Sequence, residues 1–455
     1  MQFTNIKKSN FDRTYTFTLS PLHVTYANTL RRLVLTGVET IAFRSDMTTL
    51  GTTTDVQVKR NDTPMTNEML ADRIGLLPIY VTEPLKWKDS EHVFRLSVAG
   101  NTDHTTYVKS GDFKVVKVAD AESKTEDEEE TVLSAEKFFP RHPITNDTCL
   151  IATLQPGSGS SQQMIEIVAK ATKGTGREHA RFSPVSQCSY EYSVDTDPVR
   201  VEDMFMKWLA SAKKVGTIDK ASERYAELLR EFNTMQVKRC FQINDKGEPF
   251  SYDFTVETVG VLPVTYIVQR ACEVGENICS RYVNTDKGDL PAEITISSSD
   301  SRIIGYDFLI RGHDHTLGNL LQTWLVEHHI EGDAQPKITY AGYSVPHPLR
   351  DEIVLRIGVE DGEQGTARQA FAEAAKGCTG LFRQLRGAWQ TANGSAPVAR
   401  SRPAVAPSVK VPIEPKAVPM VEPKAVPMVE PKAVPIEPKA VPMAEPKAVP
   451  STKIG

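Results

Sequence analysis

Three groups of residues in this 455-residue chain have side chains that could do chemistry. His313-Asp314-His315, with His328-His329 a little further on, has the residue types of a metal site. Adjacent residues project in different directions on a helix or a strand, so such a run does not converge on one ion. Lys173 to Val185 reads KGTGREHARFSPV, and its Gly-x-Gly-Arg invites comparison with a phosphate-cradling loop. The Lys-Ser/Thr that grips phosphates is absent, and a helix starting at Gly176 would soon meet Pro184. A shaped loop presenting Arg177, His179 and Arg181 to a partner suits these residues better. The third group is Asn28, Arg31, Arg32 and Leu35, within SPLHVTYANTLRRLVLT at residues 20–36. Arginine's planar fork matches desolvated carboxylates and carbonyls, and arginine is enriched where interfaces are energetically decisive. A core helix with solvated arginines is the plainer alternative. No catalytic residue, cofactor site or metal site is assigned.

The third group needs a helix to hold it. Ser20 suits an N-cap and Pro21 a first helical position, predicting a helix from Ser20 to Thr36. Tyr26, Ala27, Leu30, Leu33 and Val34 form its apolar stripe. Asn28 and Arg32 fall on the opposite face, with Leu35 beside them and Arg31 at the border. A second copy lies at Leu317 to Val326, where LGNLLQTWLV aligns without gaps on YANTLRRLVL. Gly318-Asn319 falls in register with Ala27-Asn28, and Leu321 with Leu30. Thr316 reads as the cap, and Leu317, Leu320, Leu321, Trp324 and Leu325 as the stripe. Two such helices point to two related modules, and related modules tend to pair about an approximate two-fold axis.

Composition narrows the function. A net charge of −5 argues against the whole protein being a nucleic-acid clamp, the rival reading as a stand-alone nucleic-acid-binding module. The six cysteines are scattered without a C-x-x-C pair, as expected of reduced thiols in an intracellular protein. No signal core and no run of about 18 apolar residues supports secretion or membrane insertion.

The expected fold class is α+β, with two sheet-and-helix modules paired in one chain. The first comprises residues 1–46 and 177–290, interrupted by a mostly β insertion at 47–176. The insertion carries a short helix in NEMLADRIGLLPI (Asn67 to Ile79) and an acidic run, Glu126 to Glu130, read as a solvated loop. Amphipathic helices follow at Val199 to Leu209 and Ser222 to Met235, then a strand at Ser251 to Val259 and a helix at Pro263 to Ser280. The second module, 291–391, has strands at Ile303 to Ile310, Lys337 to Ala341 and Ile353 to Val359. It closes on a helix, Thr366 to Trp389. Ala370, Ala374, Cys378, Leu381 and Leu385 give that helix a seam, with Gly377 and Gly380 allowing close approach. Residues 392–455 repeat EPKAVP five times and have no aromatic to bury, which predicts a disordered, proline-rich tail.

YANTLRRLVLTGVETIA resembles the signature of the RNA polymerase alpha-like subunits: the bacterial alpha N-terminal domain, the archaeal D subunit and the eukaryotic third-largest subunit. NEMLADRIGLLPI resembles that family's next block, with Glu68, Arg73, Gly75, Leu76 and Pro78 matching and Asp72 where many members carry His. GREHARFSPVSQCSY, through His179, and FTVETVGVLP resemble two further blocks. His315-Thr316-Leu317-Gly318-Asn319-Leu320 and AGYSVPHPLRDEIVLRI resemble the smaller partner, the archaeal L and eukaryotic eleventh subunit. The resemblance implies an assembly platform on which the two largest, catalytic subunits dock alongside small subunits, with DNA reached only through the complex. It places Asn28, Leu30, Arg31, Arg32, Leu35, Glu68, Arg73, His179, Arg181, His315, Leu317, Asn319, Leu320 and Trp324 at subunit interfaces. Many relatives hold zinc or iron–sulfur through clustered cysteines, but Leu85 to Arg95 (LKWKDSEHVFR) has none. Fusion of the two subunits is similar to that in large DNA viruses of eukaryotes.

Overall fold

The computed structural model describes residues 1–9, 11–45, 55–117, 131–216, 218–299 and 302–394. The acidic run at Glu126 to Glu130 and the repeat tail lie outside them. The fold is mixed α+β. One antiparallel sheet orders its strands Gln2–Ser9, Thr14–Ser20, Tyr252–Thr258, Val185–Tyr192. A second orders Ile294–Ser298, Gly305–Arg311, Glu352–Gly358, Tyr340–Ser344. Alternation explains the first: Tyr15, Phe17 and Leu19 point to one side and are buried, with threonines between them.

Helix α1 spans Val24–Thr36 and follows the strand Thr14–Ser20. It starts later than its sequence predicts. Ser20 is still in the strand, paired with Gln2, and the Leu22 amide donates to the Phe250 carbonyl, so the chain is not yet helical. The cap is His23, whose ring accepts from the Thr25 amide.

Helix α2 (Asn67–Gly75) packs beside a five-stranded sheet: Val56–Asn61, Met164–Lys170, His92–Ala99, Lys114–Lys117, Thr131–Leu133. Its own core includes Leu70, Ile74, Phe94, Phe113, Ile165 and Ile167. A two-stranded ladder, Glu39–Ala42 with Thr172–Thr175, flanks this part of the chain. Helices α3 (Pro198–Trp208) and α4 (Glu223–Met235) close a third, small core on Phe205, Leu228 and Phe232.

Helices α5 (Val264–Ser280), α6 (His315–Leu325) and α7 (Gln364–Ala392) complete the list. The α5–α7 contact is the most extensive between helices, and α1 crosses both α5 and α6. One core therefore runs through both four-stranded sheets, joining Leu30, Leu33 and Ile267 to Leu321, Phe371 and Leu385. Two expectations for the second module change. The strand expected from Lys337 begins at Tyr340, at the edge of its sheet, because the Ile338 amide is held by the His329 carbonyl before the ladder starts. Gly377 does permit a close approach, since a β-carbon there would lie 2.1 Å from the Trp324 ring. Gly380 does not: it has open space beside it.

Candidate functional site

The two copied helices meet. Asp314, not Thr316, caps α6, accepting from the Thr316 amide at 2.8 Å. His23 does the same for α1 with the Thr25 amide at 3.2 Å. Asp accepts through a short carboxylate, which leaves Thr316 free to use its hydroxyl elsewhere. In the gapless alignment Thr25 matches Thr316 and Arg32 matches Thr323. Arg32 Nε donates to Thr316 Oγ1 at 2.8 Å, and its Nη2 lies 3.3 Å from Asp314. The equivalent contact on the other side is Thr323 Oγ1 to Thr25 Oγ1 at 3.0 Å. Exchanging the modules exchanges these two contacts, the mark of a pseudo-two-fold interface. Asn319 adds a 3.4 Å bond to Thr25.

Around this crossing the side chains are apolar. Leu30, Leu317 and Leu320 are buried, and Trp324 is half-buried. Tyr26 donates to Glu327, and burial, then that carboxylate, push its hydroxyl far above the ordinary tyrosine range. Asp314 is pushed up by burial, but Thr316's hydrogen bonds and the charges of Arg177 and Arg32 hold it below the usual carboxylate range. A cavity of about 80 Å³ remains between α1, α5 and α6, reaching Thr29, Gly275, Cys279 and Phe382.

Arg32 therefore does not face outward as its place on the helix predicts; its guanidinium is spent on the second module. Arg31 is different. It donates to Asn28 at 3.0 Å and lies by the strand Val185–Tyr192. There burial pushes the Cys188 thiol up to about 12, with the Arg31 charge opposing. Asn28, Arg31 and Leu35 are half-buried.

The arginines of the loop after Thr172–Thr175 already hold partners within the chain. Arg177 donates to the Gly312 carbonyl at 3.0 Å and pairs with Asp351 at 3.2 Å. Arg181 donates to the Phe43 carbonyl at 2.9 Å and to Ser45, which in turn donates to Asp72 at 2.7 Å. His179, exposed, caps the short turn Ala180–Phe182, its ring accepting from the Arg181 amide. On α2, Arg73 clasps the Ile151 and Leu150 carbonyls at 2.9 and 3.2 Å, while Glu68 is exposed in the first turn. Met69 on α2 and Leu76, the residue that caps its C-terminus, are also exposed.

The histidines take separate partners. His313 Nε2 meets the Tyr282 hydroxyl at 2.7 Å, and His315 Nδ1 the Tyr343 hydroxyl at 3.2 Å. His328 stacks on Trp324 at 3.9 Å, and His329 meets the Pro336 carbonyl at 2.8 Å. Among the described residues no three His, Cys, Asp or Glu side chains converge as metal ligands. What motif reading missed was the threonine pair and its caps. The signal was there: Thr25 and Thr316 stand one residue before the aligned copies.

Two segments of the chain match descriptions of the RNA polymerase Rpb3/Rpb11 dimerisation domain, residues 16–279 and residues 306–388. The chain is similar to the DNA-directed RNA polymerases I and III subunit RPAC1 of Homo sapiens, 26% identical over 306 residues, covering 59% of this chain and 80% of that protein. It is 24% identical over 298 residues to the DNA-directed RNA polymerase subunit Rpo3 of Methanobrevibacter smithii, covering 62% and 97%. With the RPAC1 subunit of Saccharomyces cerevisiae it shares 30% identity over 206 residues, covering 40% and 53%.

Proposed function

Because the chain belongs to the RNA polymerase Rpb3/Rpb11 dimerisation-domain family, we propose that it supplies both dimerisation modules of a multisubunit DNA-directed RNA polymerase from one polypeptide. In this reading it is the non-catalytic platform on which the two largest subunits dock, with small subunits added and DNA reached only through the complex. The observation that carries it is the reciprocal pair of contacts between α1 and α6, Arg32–Thr316 and Thr323–Thr25. With the modules paired this way, a separate smaller alpha-like subunit has no site left to fill. The domain reading follows: 1–46 with 177–290, an insertion at 47–176, a second module at 291–391 and a tail at 392–455.

The docking face combines Asn28, Arg31 and Leu35 on α1 with Glu68 and Met69 on α2 and Leu76 at its C-cap. Arg32 leaves that set for the module seam. The polymerase is read as virus-encoded, acting in the nucleus or a cytoplasmic viral factory and carried in the virion, with no membrane involved. The test is copurification of the tagged full-length chain from cells that make the whole polymerase. The two largest subunits should come with it in equal amounts, without a second chain resembling residues 306–388. Recovery alone, or with a separate smaller alpha-like subunit, overturns the reading.

A further inference from the structure

At one position the two copied helices are unequal in size. In the gapless alignment Thr29 of α1 stands where α6 has Leu320, a short polar side chain against a branched apolar one. Both line the cavity between α1, α5 and α6, and Leu33, Ile278, Leu317 and Phe382 complete its apolar wall. A close-packed interior would ordinarily fill such a space, and Thr29 leaves it open.

The polar groups in that wall are acceptors. Thr29 gives its hydroxyl hydrogen to the Thr25 carbonyl at 2.8 Å, and Thr36 gives its own to the Arg32 carbonyl at 2.8 Å. Each oxygen keeps a lone pair that no donor reaches among the described residues. Thr29 is buried and Thr36 half-buried, so Thr29 is the deeper of the two.

Arg177, His313 and Asp314 also line the cavity, and each is already engaged. Arg177 is taken by the Gly312 carbonyl and Asp351, and Asp314 by the Thr316 amide and Arg32. His313 is held by the Tyr282 hydroxyl. A charged guest would lose its hydration and find no free counter-charge among them, a cost that a neutral guest escapes. Size sets the remaining limit. An apolar cavity of about 150 Å³ takes a benzene ring, so about 80 Å³ restricts the guest to roughly three to five heavy atoms.

We propose that this cavity is a binding site for a small neutral alcohol. Its carbon chain lies against Leu33, Leu320 and Phe382, and its hydroxyl donates to Thr29 Oγ1. The site stands whether or not the chain is a polymerase platform.

The test is saturation-transfer NMR on the full-length chain with n-butanol, butanone and butyrate, probes of like length. Butanol should give a saturable signal about fivefold or more above that of butanone, which lacks the donor. Butyrate, which carries a charge, should fall at least as far below it. Thr29→Val keeps the shape and removes the acceptor, so butanol should drop to the butanone level. Thr29→Leu places the α6 residue in α1, fills the cavity and should abolish the butanol signal. If Thr29→Leu does not fold, Val274→Leu narrows the same cavity and takes its place. An undiminished butanol signal in the filled variant or in Thr29→Val overturns the proposal. So does butyrate binding as well as butanol, or the absence of a saturable signal from every probe.

Discussion

Phe94, Phe113, Phe138 and Phe139 pack on one another inside the five-stranded unit, all drawn from one stretch of chain. Phe3, Phe17 and Trp389 form a similar aromatic knot, yet its members come from opposite ends of the described chain. Both knots bury large apolar surfaces, and per residue they are worth about the same. Their connections differ. The first closes on its own sheet and reaches the rest through a narrow ladder. The second belongs to the core running through both modules, so it cannot loosen without loosening the pairing. The same chemistry is a local matter in one place and an assembly matter in the other.

Removing Trp389 should have the largest effect. Its ring lies 5.0 Å from Phe3 and 5.1 Å from Phe17, and its Nε1 donates to the Thr265 carbonyl at 3.0 Å. Trp389→Ala should cost about 3–5 kcal/mol and speed amide exchange in both α5 and α7. Phe94→Ala should cost a similar amount, but its exchange should quicken within Val56–Asn61, His92–Ala99 and Met164–Lys170 while α5 stays protected. Loss of α5 protection in the Phe94 variant would mean that the two cores are one.

The joint between these regions gives a smaller effect, tied to pH. Arg270 of α5 donates to Glu39 at 2.9 and 3.0 Å, at the start of the ladder that leads into the insertion. Burial pushes the Glu39 carboxyl up, but the Arg270 hydrogen bonds and charge outweigh it and hold the group below its ordinary value. A carboxyl depressed in the folded state stabilises above its unfolded pKa and loses that contribution as the pH falls through the folded pKa. Glu39→Gln should therefore cost about 1–2 kcal/mol near neutral pH, and less as the solution is acidified. Melting curves at about pH 7 and about pH 3 check the sign. An equal cost at both would show that the pair adds nothing beyond its shape.

Much of this architecture is legible in the sequence, because amphipathic stripes report directly on which face is buried. Tyr26, Ala27, Leu30, Leu33 and Val34 are all buried, as are Ala370, Ala374, Cys378, Leu381 and Leu385. Boundaries were harder. Ser20-Pro21 has the chemistry of a helix start, but pairing with Gln2 keeps Ser20 in the strand, a competition visible only in three dimensions. The candidate site was the least legible part. Periodicity places Arg32 on a polar face without saying what lies over it, and Asp314 sits far away in sequence. Arg177 and Arg181 share that history: nothing in the sequence shows the backbone carbonyls that they hold.

The smallest change in stability carries the sharpest test of docking. Arg31 and Arg32 are neighbours, but they lead in different directions. Arg32 holds Thr316 and lies beside Asp314 across the module seam, in a pair about a third exposed on each side. Losing one charge-assisted hydrogen bond and a screened ion pair should cost about 1 kcal/mol in Arg32→Ala. Arg31 bonds only to Asn28 on its own helix among the described residues, so Arg31→Ala should change stability by no more than about 0.5 kcal/mol. If Arg31 faces a large subunit, its loss should instead weaken that association by roughly 2–5 kcal/mol. Melting and copurification of the two single variants then give opposite patterns. Arg31→Ala should melt like the parent chain and lose the largest subunits, while Arg32→Ala should melt lower and still retain them when folded. Should Arg32→Ala keep its melting temperature and lose the large subunits, with Arg31→Ala unchanged in both, the assignments are reversed. The contact with Thr316 would then be incidental, and Arg32 would be the residue that docks.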